Sequence, residues 1–76
     1  MIPLGPEKHS LTLNGHRTSV SLEPEFWAVF CRLAATRGLS VNALASLVDR
    51  DRAPQAGLAS AIRVHVLISL QQERAT

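Results

Sequence analysis

Arg17-Thr18-Ser19-Val20-Ser21-Leu22-Glu23-Pro24-Glu25-Phe26-Trp27 is an alternating segment that runs directly into a helix start. Thr18, Val20 and Leu22 fall on one side of an extended chain, and Arg17, Ser19 and Ser21 on the other. That is the period-2 pattern of a half-buried strand. Pro24 suits the first helical turn, where its missing N–H would have had no intrahelical partner. A lone strand leaves its backbone groups unpaired, so this one needs neighbours.

The first neighbour comes just before it. Ser10-Leu11-Thr12-Leu13 and the segment from His16 onward flank Asn14-Gly15, a dipeptide suited to the positive φ angles of a type I′ turn. A two-residue loop sets Leu13 opposite His16, Thr12 opposite Arg17, Leu11 opposite Thr18 and Ser10 opposite Ser19. Directly opposed residues share a face. One face therefore collects Leu11, Leu13, His16, Thr18, Val20 and Leu22, and the other Lys8, Ser10, Thr12, Arg17, Ser19 and Ser21. Residues 1–9, with Pro3, Gly5 and Pro6, are expected to form a flexible arm, and 10–76 a single domain.

Downstream, helical periodicity takes over. Phe26, Phe30 and Leu33, widened by Trp27 and Ala34, mark a first helix from Pro24 to Arg37. Gly38 suits a C-cap and Ser40 an N-cap, so a second helix is expected from Val41 to about Arg52, burying Val41, Leu44, Ala45 and Val48. Ala53-Pro54-Gln55-Ala56-Gly57 breaks the pattern. A third helix is expected over residues 58–73, with Leu58, Ile62, Val66 and Leu70 in register and Val64, Leu67 and Ile68 beside them. Apolar on more than one side, it is expected to be packed on both flanks, the second against another copy of the chain. The fold class is mainly α with a short β ribbon: a hairpin followed by three helices.

The 76 residues make one domain at most, and a fold of this size buries only about 60% of its unfolded surface. Cys31 is the single cysteine, which excludes an intrachain disulfide. His9, His16 and His65 lack a carboxylate or thiolate cluster at ligand spacing, so no metal or other cofactor is expected. Oligomerisation is the remaining route to stability. The net charge is only +2, carried by seven arginines and one lysine against six acids, so charge does not choose a partner. No signal peptide is evident. Val64 to Leu70 is far short of the roughly 20 apolar residues that span a bilayer. With one unpaired cysteine, a cytoplasmic protein with no membrane partner is expected.

A polar-faced strand, a helix, a Gly38-Leu39-Ser40-Val41-Asn42 turn and a second helix resemble the ribbon–helix–helix family of transcriptional regulators, the Arc/MetJ type. His16 to Trp27, together with Leu58-Ala59-Ser60-Ala61-Ile62-Arg63-Val64, looks more narrowly like a small bacterial subfamily of mostly unassigned role. The general resemblance covers residues 16 to 53, and the narrower one most of the chain. It implies a homodimer whose ribbons pair antiparallel about a twofold axis and close one shared core, and it implies sequence-specific binding to double-stranded DNA. Arg17, Ser19 and Ser21 would then contact base edges in the major groove, arginine reading guanine and serine discriminating less. A merely solvated polar face has the same alternation. Ser40, Val41 and Asn42 match the helix start that holds a phosphate in the family, although Ser40 also serves as an ordinary cap.

Two features depart from the minimal pattern. With the hairpin, a dimer presents four strands about 4.8 Å apart, roughly 14 Å across, whereas a major groove about 12 Å wide admits two. Lys8, Ser10 and Thr12 on the outer strands would then meet the flanking phosphates. The third helix is the other departure. In the family, added C-terminal segments often bind a protein partner, which gives the alternative of an antitoxin-like or adaptor module without DNA binding. Extension of the dimer core is the simpler reading, because a free apolar helix invites aggregation.

The remaining residues suggest no enzyme. Arg37 complements a helix dipole. Arg50 and Arg52 alternate with Asp49 and Asp51 as a solvated end, and Arg63 is either on a solvent edge or ion-paired. Cys31 reads as a small core residue with no histidine to activate it.

Overall fold

The structure is a computed structural model that describes residues 5–75. Strand β1 (Glu7–Leu13) and strand β2 (His16–Leu22) form an antiparallel hairpin, followed by helices α1 (Pro24–Thr36), α2 (Val41–Asp51) and α3 (Leu58–Ala75). The part of the expected arm at residues 1–4 lies outside the described residues, and β1 begins at Glu7, three residues before Ser10. Asn14 and Gly15 have φ of 51° and 82°, as a type I′ turn requires. The register is the expected one, extended to Ser21 opposite Lys8 and Leu22 opposite Glu7.

Each helix boundary has a local cause. Pro24 opens α1 after Glu23. Gly38, at φ 70°, closes it: its N–H donates to the Ala35 carbonyl, and the Leu39 N–H donates to that of Ala34. These two bonds make a Schellman end, for which a residue with positive φ is needed. Ser40 then caps α2, its Oγ accepting the Ala43 N–H at 3.0 Å.

Leu11, Leu13, Val20 and Leu22 of the hairpin's inner face meet Phe30, Leu33 and Ala34 of α1, Leu44, Ala45 and Val48 of α2, and Ile62 and Val66 of α3. Phe30, Leu22, Leu44 and Ile62 are fully enclosed. A third helix is therefore part of this core within one chain. Leu58 and Leu70, half-buried, pack against this core as expected, and Ser69 joins the inward face, its Oγ accepting from the Arg37 guanidinium at 3.4 Å.

The inner face of the sheet is only partly covered. His16 and Thr18 share the parity of Val20 and Leu22, which would turn them inward, yet both are exposed. Below them is an open hollow of about 290 Å³ bounded by Leu13, Asp49, Arg52 and Leu58, which none of the described residues fills. Val41 is likewise half-exposed. Val64, Leu67 and Ile68 of α3, at 51%, 54% and 47% exposure, are left uncovered by the single chain.

Candidate nucleic-acid interface

The outer face of the hairpin carries Lys8, Ser10 and Thr12 on β1 and Arg17, Ser19 and Ser21 on β2, and all six are exposed. Thr12 lies opposite Arg17, Ser10 opposite Ser19, and Lys8 opposite Ser21. The face thus bears a cation near each end, hydroxyls between them and no carboxylate. Arg17 and Lys8 stand about 14 Å apart along the strands, four residues at roughly 3.4 Å each.

Four of the other six arginines are engaged within the fold, while Arg50 and Arg74 lie on helices away from the sheet. Arg32 is ion-paired to Glu73 at 3.1 Å, Arg52 to Asp49 at 2.7 Å and Arg63 to Glu23 at 2.9 Å. Arg63 also lies over the Phe26 ring at 5.8 Å, which resolves its alternatives in favour of an ion pair. The Glu23 carboxyl is held below its ordinary pKa, first by a backbone hydrogen bond and then by Arg63. Arg37 turns to His65 Nε2 and Ser69 Oγ. Among the described residues no such partner engages Arg17 or Lys8, so their charge is open to an incoming ligand.

Hairpin parity decides where the backbone of this face points. A two-residue turn makes Leu13 and His16 the first hydrogen-bonded pair, so Thr12 and Arg17 form a wide pair whose N–H and C=O groups point out of the hairpin. On β1 the outward Thr12 N–H donates to Asn42 Oδ1 of α2 at 3.0 Å. This bond ties the start of α2 to the rim of the polar face beside Arg17. On β2 the outward groups of Arg17, Ser19 and Ser21 meet no partner among the described residues, and the sheet ends there with two strands. An unprotected edge of this kind is a template for another strand.

The start of α2 divides its donors between the fold and solvent. Ser40 Oγ takes the Ala43 N–H, and the Leu44 N–H begins the helix ladder at the Ser40 carbonyl. The N–H groups of Val41 and Asn42 meet no acceptor among the described residues. They form the positive end of the helix, the arrangement that favours an anion.

Of the residues expected to contact DNA, the structure brings Arg17, Thr12, Asn42, Val41 and Ser40 to one end of the sheet. Ser19 and Ser21 continue from them along β2. Lys8 is not part of the α2 group: it lies at the far end of β1. Sequence reasoning misses the structural role of the Asn42 side chain, although the parity of Thr12 relative to Asn14-Gly15 marks its N–H as needing an acceptor. It also misses the stacking of His9 on Trp27, at 3.8 Å and 8° between planes, which completes the inner face opposite Val20.

Other reactive groups lie away from this face. Burial pushes the Cys31 thiol above its ordinary pKa, which keeps it protonated near neutrality. Burial, then the nearby Arg37, lowers that of His65. Among the described residues no group of three or more His, Cys, Asp or Glu could hold a metal ion, and no helix is long and apolar enough to cross a membrane.

Residues 6–70 match the family described as the ribbon-helix-helix domain. No curated protein and no solved structure matches the chain.

Proposed function

The chain belongs to the ribbon-helix-helix family, and from that premise we propose that it is a non-enzymatic, cytoplasmic, homodimeric transcriptional regulator that binds double-stranded DNA with its sheet. The observation that carries this reading is the acid-free outer face, where Arg17 has no partner among the described residues and stands beside the open edge of β2. A second copy paired antiparallel along that edge closes the sheet and doubles the face. Pairing centred on Ser19 uses the whole seven-residue strand, setting Arg17 opposite the partner's Ser21.

In this arrangement the two central strands enter the major groove. Arg17 reads a guanine edge through a bidentate contact, and Ser19 and Ser21 contribute less selective hydrogen bonds. Neighbouring strands rotate by about 20° to 25°, so the outer β1 strands turn away from the groove floor. That turn brings Lys8 and Thr12 over the flanking backbone, while the Val41 and Asn42 N–H groups and the Ser40 cap accept a phosphate from the side. Ribbon residues thereby supply specificity, and β1 with α2 supplies position.

The exposed apolar side of α3 favours a second reading, a dimeric protein-interaction module without a DNA role. A titration with mixed-sequence duplex DNA across salt separates the two. The regulator reading expects affinity that falls linearly on logarithmic axes as salt rises. Absence of binding at low salt, where phosphate contacts are strongest, leaves the interaction module.

A further inference from the structure

The two edges of the sheet are not equivalent. The β1 edge is occupied at Thr12 by Asn42 of α2, whereas the β2 edge is open. Helix α3 lies on the β2 side: Arg63 is bonded to Glu23 just past the end of β2, and Leu58 borders the hollow below Thr18. A copy of the chain added to the β2 edge therefore arrives on the side where α3 runs.

The β2 edge alone is too small to hold two chains together. Seven residues make an edge about 24 Å long and roughly 10 Å deep, a few hundred Å². A stable dimer hides about 800 Å² on each partner. The missing area has a candidate on α3. Ser60, Val64, Leu67, Ile68 and Gln71 follow one another at i, i+4, i+7, i+8 and i+11, and all five are exposed. From Ser60 to Gln71 this stripe, opposite the buried Ile62 and Val66, carries no charge. Arg74, on the same face just beyond Gln71, bounds it at the C-terminal end, and Arg63 at its flank is turned aside into an ion pair with Glu23. Beside it, Leu47 of α2, at 38% exposure, borders an apolar groove of about 530 Å³ that Val64 and Ile68 also line.

We propose that this stripe packs antiparallel against the same stripe of a second copy, forming a lower layer of the dimer beneath the paired β2 edges. The inference rests on the homodimer of the proposed function and names where most of its buried area lies. A twofold contact sets a surface against itself, so a neutral apolar stripe meets its copy without like charges opposed. Side chains from the partner stripe fill the groove beside Leu47.

Solution mass tests it. Sedimentation equilibrium on the full chain is compared with Leu67→Glu, Val64→Glu and the neutral Leu67→Gln, with circular dichroism as the check on folding. These side chains are outside the single-chain core. The expected result is a two-chain mass for the wild type and a dissociation constant raised at least about tenfold by either glutamate, since two carboxylates would meet in an apolar contact. Leu67→Gln should fall between. Helix signal that disappears at low concentration and returns at high concentration counts as the same weakening. Unchanged dimerisation of all three variants overturns the α3 contact and leaves the homodimer intact, held by its strands and other surfaces. Unfolding that concentration does not reverse also overturns it, because the stripe then serves the single chain. A wild type that stays one chain at every concentration removes the homodimer and the α3 contact together.

Discussion

Thr12 and Asn42 are thirty residues apart, yet the backbone N–H of one donates to the side-chain oxygen of the other at 3.0 Å. The bond occupies the Thr12 end of the β1 edge and fixes where α2 begins relative to Arg17. Asn42→Ala removes the acceptor at an exposed site where water can replace it, so the expected loss is about 0.5–1.5 kcal/mol. For a domain of this size that lowers the melting temperature by several degrees, measured at fixed protein concentration. The Thr12 amide should exchange faster while Leu11 and Leu13 remain protected. Unchanged Thr12 exchange would show that the bond does not hold the edge.

Arg17 and Lys8 share a face but are expected to behave differently on DNA. Arg17→Ala should cost about 1–3 kcal/mol on a preferred sequence and flatten the preference among sequences. Lys8→Ala should weaken binding evenly across sequences and make the salt slope shallower by about one, the share of a single neutralised phosphate. Anisotropy titrations of both variants on a preferred and a scrambled duplex make the comparison. Equal effects on both duplexes for Arg17→Ala would assign it to phosphate rather than to a base.

The hairpin is readable because one dipeptide sets its parity. Once Asn14-Gly15 occupies the turn, all the opposed pairs and both faces follow from counting. Pro24, Gly38 and Ser40 mark helix ends for equally local reasons. What depends on distant packing is less accessible. His16 and Thr18 have inward parity but remain exposed, because cover at that end depends on where α3 begins, across a Pro-containing loop. The α3 pattern shows too many apolar positions for one stripe without showing which of them turn inward. Ser69 follows Ile62 and Val66 onto the inward face, and its hydroxyl is met there by Arg37 at the end of α1. On the candidate interface, the residues of the polar face are legible from alternation. The distance between Lys8 and α2, and the use of the Asn42 side chain to hold Thr12, require the tertiary fold.

Ile62 tests whether α3 is integral to the fold. It is fully buried against the sheet and the other helices. Ile62→Ala removes three carbons from a closed site and should cost about 2–5 kcal/mol, a large share of the stability of a small domain. Chemical denaturation reads the loss as a lower midpoint. A chain ended at Gly57 should lose its cooperative transition. Retention of a wild-type transition by the shortened chain would make α3 an appendage and leave the core to the hairpin, α1 and α2.

His65 gives the fold a pH dependence of defined sign. It makes an edge contact with Phe30 at 6.3 Å between ring centroids and faces Arg37 at 3.4 Å. Burial and then Arg37 favour its neutral form, so its folded pKa is below the ordinary value of 6.5. The unfolded chain therefore takes up the proton first as pH falls. The stability held by neutral His65 is fully present above about 6.5. It is lost as the pH falls from there through the folded value, because protonation then favours the unfolded chain. Melting temperatures of the wild type should decline between about pH 7 and pH 5, and His65→Gln should flatten that part of the profile. Comparing the two slopes isolates this group from His9 and His16, which both proteins retain. Parallel profiles would show that His65 carries none of the decline.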